Sequence, residues 1–362
     1  MPQWSERLEH RPALDFAHYC LRGVGQIVFM NNPVSGLLIL VGMGVFSPWL
    51  GFAAALGVVS STAFALVLGF ERSAVRAGLY GFNGALVGAG LATFLAAAWS
   101  PRVMIYTVLV AAFSTVLVAA LTVMLAGLKV PPLTLPFNLA TLAFLLAAFA
   151  FARGDLGPVE PRSLAIGGAE IDTGLRATQT GPAVGALEGV TNAVLRGIGQ
   201  LFLADSVVAG LIILVAILVC SRIAAALALL GSVLGTLTGL SLGADGYDVY
   251  HGLWGFNSFV SAVAVGGVFV VLTWRSAVLA AACAVFAALL FAAVTTLFSP
   301  WGLPALTLPF CLATLAFLMP KELTPRLQAV ATEEISTPEE HRLLLGQGDA
   351  RLGECGEASK LR

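Results

Sequence analysis

The sequence predicts an all-α polytopic membrane protein made of two homologous halves, on three observations: an apolar composition, uncharged runs of bilayer length, and an internal repeat. Hydrophobic residues make up 58% of the 362 and charged residues 11%, with a mean hydropathy of +0.92. Soluble domains run about half apolar and a quarter charged. A water-facing surface cannot be built from this composition. Uncharged runs extend from Gly23 to Phe70, Ala77 to Pro101, Val103 to Leu128, Val130 to Phe151, Ile223 to Ala244 and Ser276 to Pro320, and about 20 apolar residues cross a bilayer core. A backbone in lipid must satisfy its own hydrogen bonds. The runs lack the in/out alternation of a barrel strand, so helices are predicted.

The third observation organises the chain. Arg22-Gly23-Val24-Gly25-Gln26 matches Arg196-Gly197-Ile198-Gly199-Gln200, Gly36-Leu37-Leu38-Ile39-Leu40 matches Gly210-Leu211-Ile212-Ile213-Leu214, and Leu79-Tyr80-Gly81-Phe82-Asn83 matches Leu253-Trp254-Gly255-Phe256-Asn257, each 174 residues apart. Leu133-Thr134-Leu135-Pro136-Phe137 matches Leu306-Thr307-Leu308-Pro309-Phe310 at a separation of 173. A register held this long marks an internal duplication. The expected organisation is an N-terminal segment (1–17), a first transmembrane repeat (18–152), a polar linker (153–191), a second repeat (192–320) and a polar C-terminal tail (321–362).

Charges, glycines and prolines divide each half into six apolar segments. In the first half the 78–98 segment holds Gly78, Gly81, Gly84, Gly88 and Gly90. It is the candidate for a tilted or re-entrant pore helix, because backbone that does not span is tolerated at depth only where protein or a polar cavity surrounds it. Five crossings per half would remain. An odd number turns the second half upside down, so the repeats are expected to be inverted and to face each other across the midplane, where repeat-based transporters place their substrate path.

The N-terminus carries Glu6, Arg7, Glu9, Arg11 and Asp15 without a basic start, short apolar core and cleavage site, so a cleaved signal is not expected. The five cysteines are scattered, mostly within apolar runs and with no CxxC pair, and read as small hydrophobes. A net charge of -1 and no basic stripe give no nucleic-acid footprint. His10, His18, His251 and His341 lie apart in the sequence and suggest neither a metal site nor a nucleophile-base pair, so no cofactor and no enzymatic activity are expected. His251 reads as a packing or helix-end residue. No acid sits in the middle of an apolar run; Asp205, opposite Asn31 in the repeat, reads as a cap or loop residue. Ion coupling needs ionisable groups or unwound helices near mid-membrane, so a neutral substrate moving down its gradient is favoured.

The apolar runs do contain matched amides, hydroxyls, prolines and phenylalanines. Gln26 and Gln200 follow Gly-x-Gly and can both donate and accept hydrogen bonds. They are candidates for the pore lining, against the alternative of interhelical bonding. Thr134 and Thr307 each precede a proline by two residues, and a proline frees nearby carbonyls to accept. Two such breaks would supply a row of acceptors.

At these residues the sequence resembles the urea transporter family. The matching pieces are Leu21-Arg22-Gly23-Val24-Gly25-Gln26-Ile27-Val28-Phe29 with Asn31-Asn32-Pro33, the stretch from Gly78 to Gly88, and Leu303-Pro304-Ala305-Leu306-Thr307-Leu308-Pro309-Phe310. The resemblance implies a homotrimer with one pore per subunit, two inverted halves of five transmembrane helices plus a tilted pore helix, and channel-like urea conduction. Phe29, Phe82 and Phe256 would form a narrow slot, with Leu86 and Val260 one turn beyond the last two. Gln26, Gln200, Thr134 and Thr307 would supply oxygens, together with the carbonyls near Ile27, Leu201, Pro132, Leu133, Ala305 and Leu306. Urea is planar and neutral, and taking an amide out of water without replacement hydrogen bonds costs several kcal/mol. Closely spaced oxygens replace those bonds while aromatic faces admit a flat solute. Most of the 22 phenylalanines read as bundle packing.

The second half departs from the first: Asp205-Ser206-Val207 stands opposite Asn31-Asn32-Pro33, and Leu203 opposite Phe29. Both glutamines are amides where family members can carry an acid. These differences bear on selectivity more than on fold. The leading expectation is a passive urea channel of the cell inner (plasma) membrane, with urea and the lipid bilayer as partners. The alternative is an ion-coupled secondary transporter of another small polar solute.

Overall fold

In the computed structural model the described residues are 12–95, 98–148, 186–320, 327–330 and 335–343. The first half runs α1 (Pro12–Gln26), α2 (Pro33–Phe46), α3 (Pro48–Val67), a short α4 (Arg72–Arg76), α5 (Phe82–Phe94), α6 (Pro101–Leu125) and α7 (Leu135–Ala148). The second runs α8 (Ala186–Gln200), α9 (Val207–Cys220), α10 (Arg222–Ser241), a short α11 (Gly246–Tyr250), α12 (Phe256–Val263) continued by a π turn (Ala264–Val268), α13 (Trp274–Phe298) and α14 (Leu308–Leu318). The helices α1 and α8 begin and end in the 174-residue register read from the sequence. They start six residues earlier than the polarity of the chain suggests, so the last residues of the expected linker belong to α8. The rest of the linker, 153–185, lies outside the described residues.

Matched caps set the helix starts. The Asn32 side chain accepts the Val34 N–H at α2 and Ser206 accepts the Ala209 N–H at α9. Ser47 and Ser221 cap α3 and α10 in the same way, and Glu71 and Asp245 cap α4 and α11. Each oxygen satisfies an amide that the first turn leaves without a partner. Asp205 is therefore a loop residue, with the capping role taken by its neighbour Ser206.

Among the described residues four helices are long and apolar enough to cross a membrane: α3 and α10, of 20 residues each, and α6 and α13, whose runs of 28 include a following 3-10 turn. At about 1.5 Å per residue, 20 residues match the roughly 30 Å of bilayer hydrocarbon. Ile105, Leu109, Phe113, Val116 and Val123 of α6 are exposed, a face suited to lipid rather than water.

The centre is held by α5 and α12. Every residue from Asn83 to Leu91 is buried, as is every residue of α12 and its π turn. A helix apolar on all sides must be wrapped by others, and the glycines of α5 permit it: a Cβ on Gly88 would stand 2.0 Å from the carbonyl oxygen of Ala53 in α3. The expected pore-helix segment is thus a 13-residue helix enclosed by protein. The halves meet through matched elements, with Ser35 Oγ of α2 donating to the Ala216 carbonyl of α9 at 2.7 Å.

Part of the C-terminal tail returns to the second half. Val270 and Ala329 form an antiparallel bridge, with the Val271 N–H on the Gln328 carbonyl and the Val330 N–H on the Phe269 carbonyl. Glu339 accepts from the Ser221 hydroxyl at 2.6 Å and from the Ile223 N–H at 2.9 Å. His341 is buried, with Nδ1 3.0 Å from the Gly267 carbonyl oxygen.

Candidate functional site

The glutamine motifs sit where α1 and α8 end. Gly78 and Gly252 take left-handed φ values of +80° and +74°, and a Cβ on either would stand 2.3 or 2.2 Å from the backbone nitrogen of Gly23 or Gly197. Only glycine at both places lets the two chains touch. That contact positions the amides: Gln26 Nε2 donates to the Ala77 carbonyl at 2.9 Å and Gln200 Nε2 to the His251 carbonyl at 2.8 Å. An amide whose nitrogen is held this way keeps its oxygen available as an acceptor.

Beyond each glutamine the chain turns through a left-handed residue, Phe29 at φ +64° and Leu203 at +59°. A second matched pair, Leu133 at +51° and Leu306 at +49°, precedes the threonines. Non-glycine residues rarely adopt this conformation, and such strain clusters at functional sites. The asparagines of the repeated Gly-Phe-Asn motif brace these breaks. Asn83 Oδ1 accepts the Phe137 N–H at 3.0 Å, and Asn257 Oδ1 accepts the Phe310 N–H at 3.1 Å. Their Nδ2 atoms face the carbonyls of Leu133 and Leu306, at 3.5 and 3.3 Å.

Thr134 and Thr307 meet across the two halves. Their hydroxyl oxygens are 2.7 Å apart and both residues are buried. Asn138 Nδ2 donates to Thr307 Oγ1 at 3.0 Å and to the Thr134 carbonyl at 2.8 Å, and the Cys311 thiol lies 3.2 Å from Thr134 Oγ1. The carbonyl can only accept, which fixes the nitrogen of Asn138 toward it. Asn138 Oδ1 is left buried without a partner. A buried acceptor of this kind is costly unless something donates to it.

A cavity of about 560 Å³ opens beside this junction, lined by Gln200, Leu201, Leu203, Asp205, Phe256 and the run from Leu303 to Thr307, with Trp49, Phe94 and Phe137 from the first half. It gathers Gln200, Phe256 and Thr307 of the second-half residues singled out in the sequence, together with Leu201, Ala305 and Leu306. Phe256 stands edge-on to Phe291 at 5.8 Å. Phe29 stands edge-on to Phe269 at 5.4 Å and to Phe310 at 6.3 Å, so its ring crosses to the second half. Phe82 is half-buried at the start of α5, while Leu86 and Val260, one turn on, are buried and outside the lining of this cavity.

Asn83, Asn257 and Asn138 were not assigned roles from the sequence. The first two were visible as members of a repeated motif. Asn138 had a weaker signal, an amide in an apolar run where the other copy has Cys311.

Comparison with known proteins agrees with an apolar, helical membrane protein. Residues 17–322 match the family described as Urea transporter. The chain is 37% identical over 353 residues to Urea transporter 1 of Ovis aries, covering 97% of this chain and 89% of that protein. It is 36% identical over 364 residues to Urea transporter 1 of Mus musculus, covering 98% and 90%. Matches of this extent, running through both repeats, place the chain in the urea transporter family: it is a membrane transport protein and not an enzyme.

Proposed function

We propose that the protein conducts urea passively, as a channel, along a path at the interface of two inverted repeats. The observation that carries this reading is the cavity that Gln200 and Phe256 line together with Leu201, Ala305, Leu306 and Thr307. Oxygens and an aromatic ring in one concave site are what a flat amide needs when it leaves water. The slot would comprise Phe29, Phe82 and Phe256, with Leu86 and Val260 behind it. Gln26, Gln200, Thr134 and Thr307 and the broken backbone near them would supply the acceptors. Inversion is supported by the antiparallel packing of α2 on its copy α9: Ser35 near the start of α2 bonds Ala216 near the end of α9, while Gly42 late in α2 lies against Ala209 early in α9. Five crossings per half would include the short helices with their flanking turns. A homotrimer with one pore per subunit, in the cell inner (plasma) membrane, completes the proposal.

Urea flux into proteoliposomes tests it. Urea should equilibrate without an ion gradient, and flux should not respond to membrane potential. Accumulation above the external concentration, driven by sodium or protons, would instead establish the coupled alternative.

A further inference from the structure

A duplicated pore should carry matched chemistry at its two mouths, and around Gln200 it does not. Arg22 corresponds to Arg196 and Gln26 to Gln200, but Asn31 stands opposite Asp205 and Ala77 opposite His251. In the first half Arg22 Nη1 donates to the Arg76 carbonyl at 3.5 Å. In the second half Arg196 Nη1 donates to Asp205 Oδ1 at 2.9 Å, and its guanidinium lies over the Tyr250 ring, 4.6 Å from the centroid. His251 Nδ1 contacts Asp205 Oδ2 and lies 3.0 Å from Arg196 Nη1. One ring nitrogen cannot both donate to the carboxylate and accept from the guanidinium. A proton on Nδ1 satisfies the closer contact and leaves Arg196 bonded to Oδ1.

The same histidine offers its backbone carbonyl to Gln200 Nε2. Arg196, Asp205, His251 and Gln200 therefore form one connected unit, and Asp205 and Gln200 line the same cavity. The Asp205 side chain is 28% exposed. A carboxylate has about four acceptor positions; the two partners engage one on each oxygen, so further N–H groups can still be accepted. Hydrogen bonds to an ionised acceptor are roughly twice as strong as neutral ones.

We propose that Asp205 is a specificity-determining residue: it forms an outer subsite that accepts N–H groups of an incoming amide before the aromatic slot, and it makes the second-half mouth bind urea more tightly than the first-half mouth. Arg196 cancels its charge, so the subsite recognises donors without recruiting cations. The inference rests on the proposed urea path through this cavity.

The test measures the concentration dependence of urea entry from each side, in membrane vesicles of opposite orientation, for the wild type and Asp205→Asn. The substitution installs the amide that Asn31 already provides at the equivalent turn. The expected result is a half-saturating concentration raised about fivefold from the second-half side, the scale of exchanging a charge-assisted for a neutral hydrogen bond, with little change from the other side. Half-saturation unchanged on both sides, with only stability altered, would reduce Asp205 to a counterion for Arg196 and overturn the proposal. Should the variant not fold, competition in the wild type decides. Methylurea, 1,3-dimethylurea and tetramethylurea should inhibit urea entry from the second-half side in the order of the N–H groups they retain, and inhibition indifferent to that order would also overturn it. A wild type that carries no urea would refute the functional reading itself, a result distinguishable from either outcome.

Discussion

Thr134 and Thr307, the hydroxyls that the sequence offers as acceptors, bond each other across the halves. Each hydroxyl oxygen can take two hydrogen bonds as acceptor and give one as donor, so the pair holds the interface and still has acceptor capacity. Replacing either by valine keeps the shape and removes one partner from a buried polar cluster. Loss of an acceptor should cost about 1 to 3 kcal/mol where the solute has nothing else to bond, which is about one to two decades in rate if it falls wholly on the barrier. We expect Thr134→Val and Thr307→Val each to slow urea flux by at least several-fold while the protein still assembles. Flux and thermal stability measured together decide the matter. Two well-folded variants with unaltered flux would confine the threonines to a structural role.

The helices are placed by close backbone approach as much as by side chains. The loop before α5 touches the end of α1 at Gly78 and Gly23, and the loop before α12 touches the end of α8 at Gly252 and Gly197. A left-handed backbone alone costs an L-residue about 1 to 2 kcal/mol, and here the added methyl would also strike the neighbouring chain. Gly78→Ala should therefore lower the melting temperature and displace Gln26, whose partner Ala77 adjoins the turn. Gly44 provides the control, because a Cβ there meets nothing within 4 Å. Equal melting temperatures for Gly78→Ala and Gly44→Ala would show that this contact does not position α1.

At the scale of the whole molecule, the returning tail has a pH dependence that can be worked out. Burial raises the pKa of the Glu339 carboxyl, but the hydrogen bonds from the Ile223 N–H and the Ser221 hydroxyl outweigh it and hold the group below its ordinary value of 4.5. A lowered pKa means that the folded state favours the ionised form. The tail contact is then fully present above the usual carboxylate range and is lost as pH falls through the lowered value. Hydrogen-exchange protection at Val271 and Val330, whose amides bond across the tail junction, should decline on acidification and in Glu339→Gln at neutral pH. Protection indifferent to both would remove Glu339 as the latch. The proposed inversion of the two repeats makes a separate prediction. Single cysteines in the 153–185 stretch should label from the face opposite both termini, and labelling of all three from one face would refute inversion.

Composition and uninterrupted apolar runs were enough to require a helical membrane protein, because hydrocarbon leaves a backbone no other partners. The duplication was legible because the motifs kept their register, and that register predicted which residues would correspond: the contacts of the two glutamines and of Asn83 and Asn257 recur in pairs, and the matched threonines meet each other. Composition does not encode distances between segments far apart in the chain. That Thr134 and Thr307 would touch, that Phe29 would pack on Phe269, and that α5 would be wrapped on every side depended on how the two halves close on each other. The triad of Arg196, Asp205 and His251 lay at three positions spread over 55 residues, and only folding brought their side chains within hydrogen-bond reach. The tail read as a polar extension because its sequence lacks an apolar run. Its docking depends on a few directed hydrogen bonds, from Ser221, Ile223 and the backbone near Phe269, which form only once α9, α10 and α12 have set those groups in place.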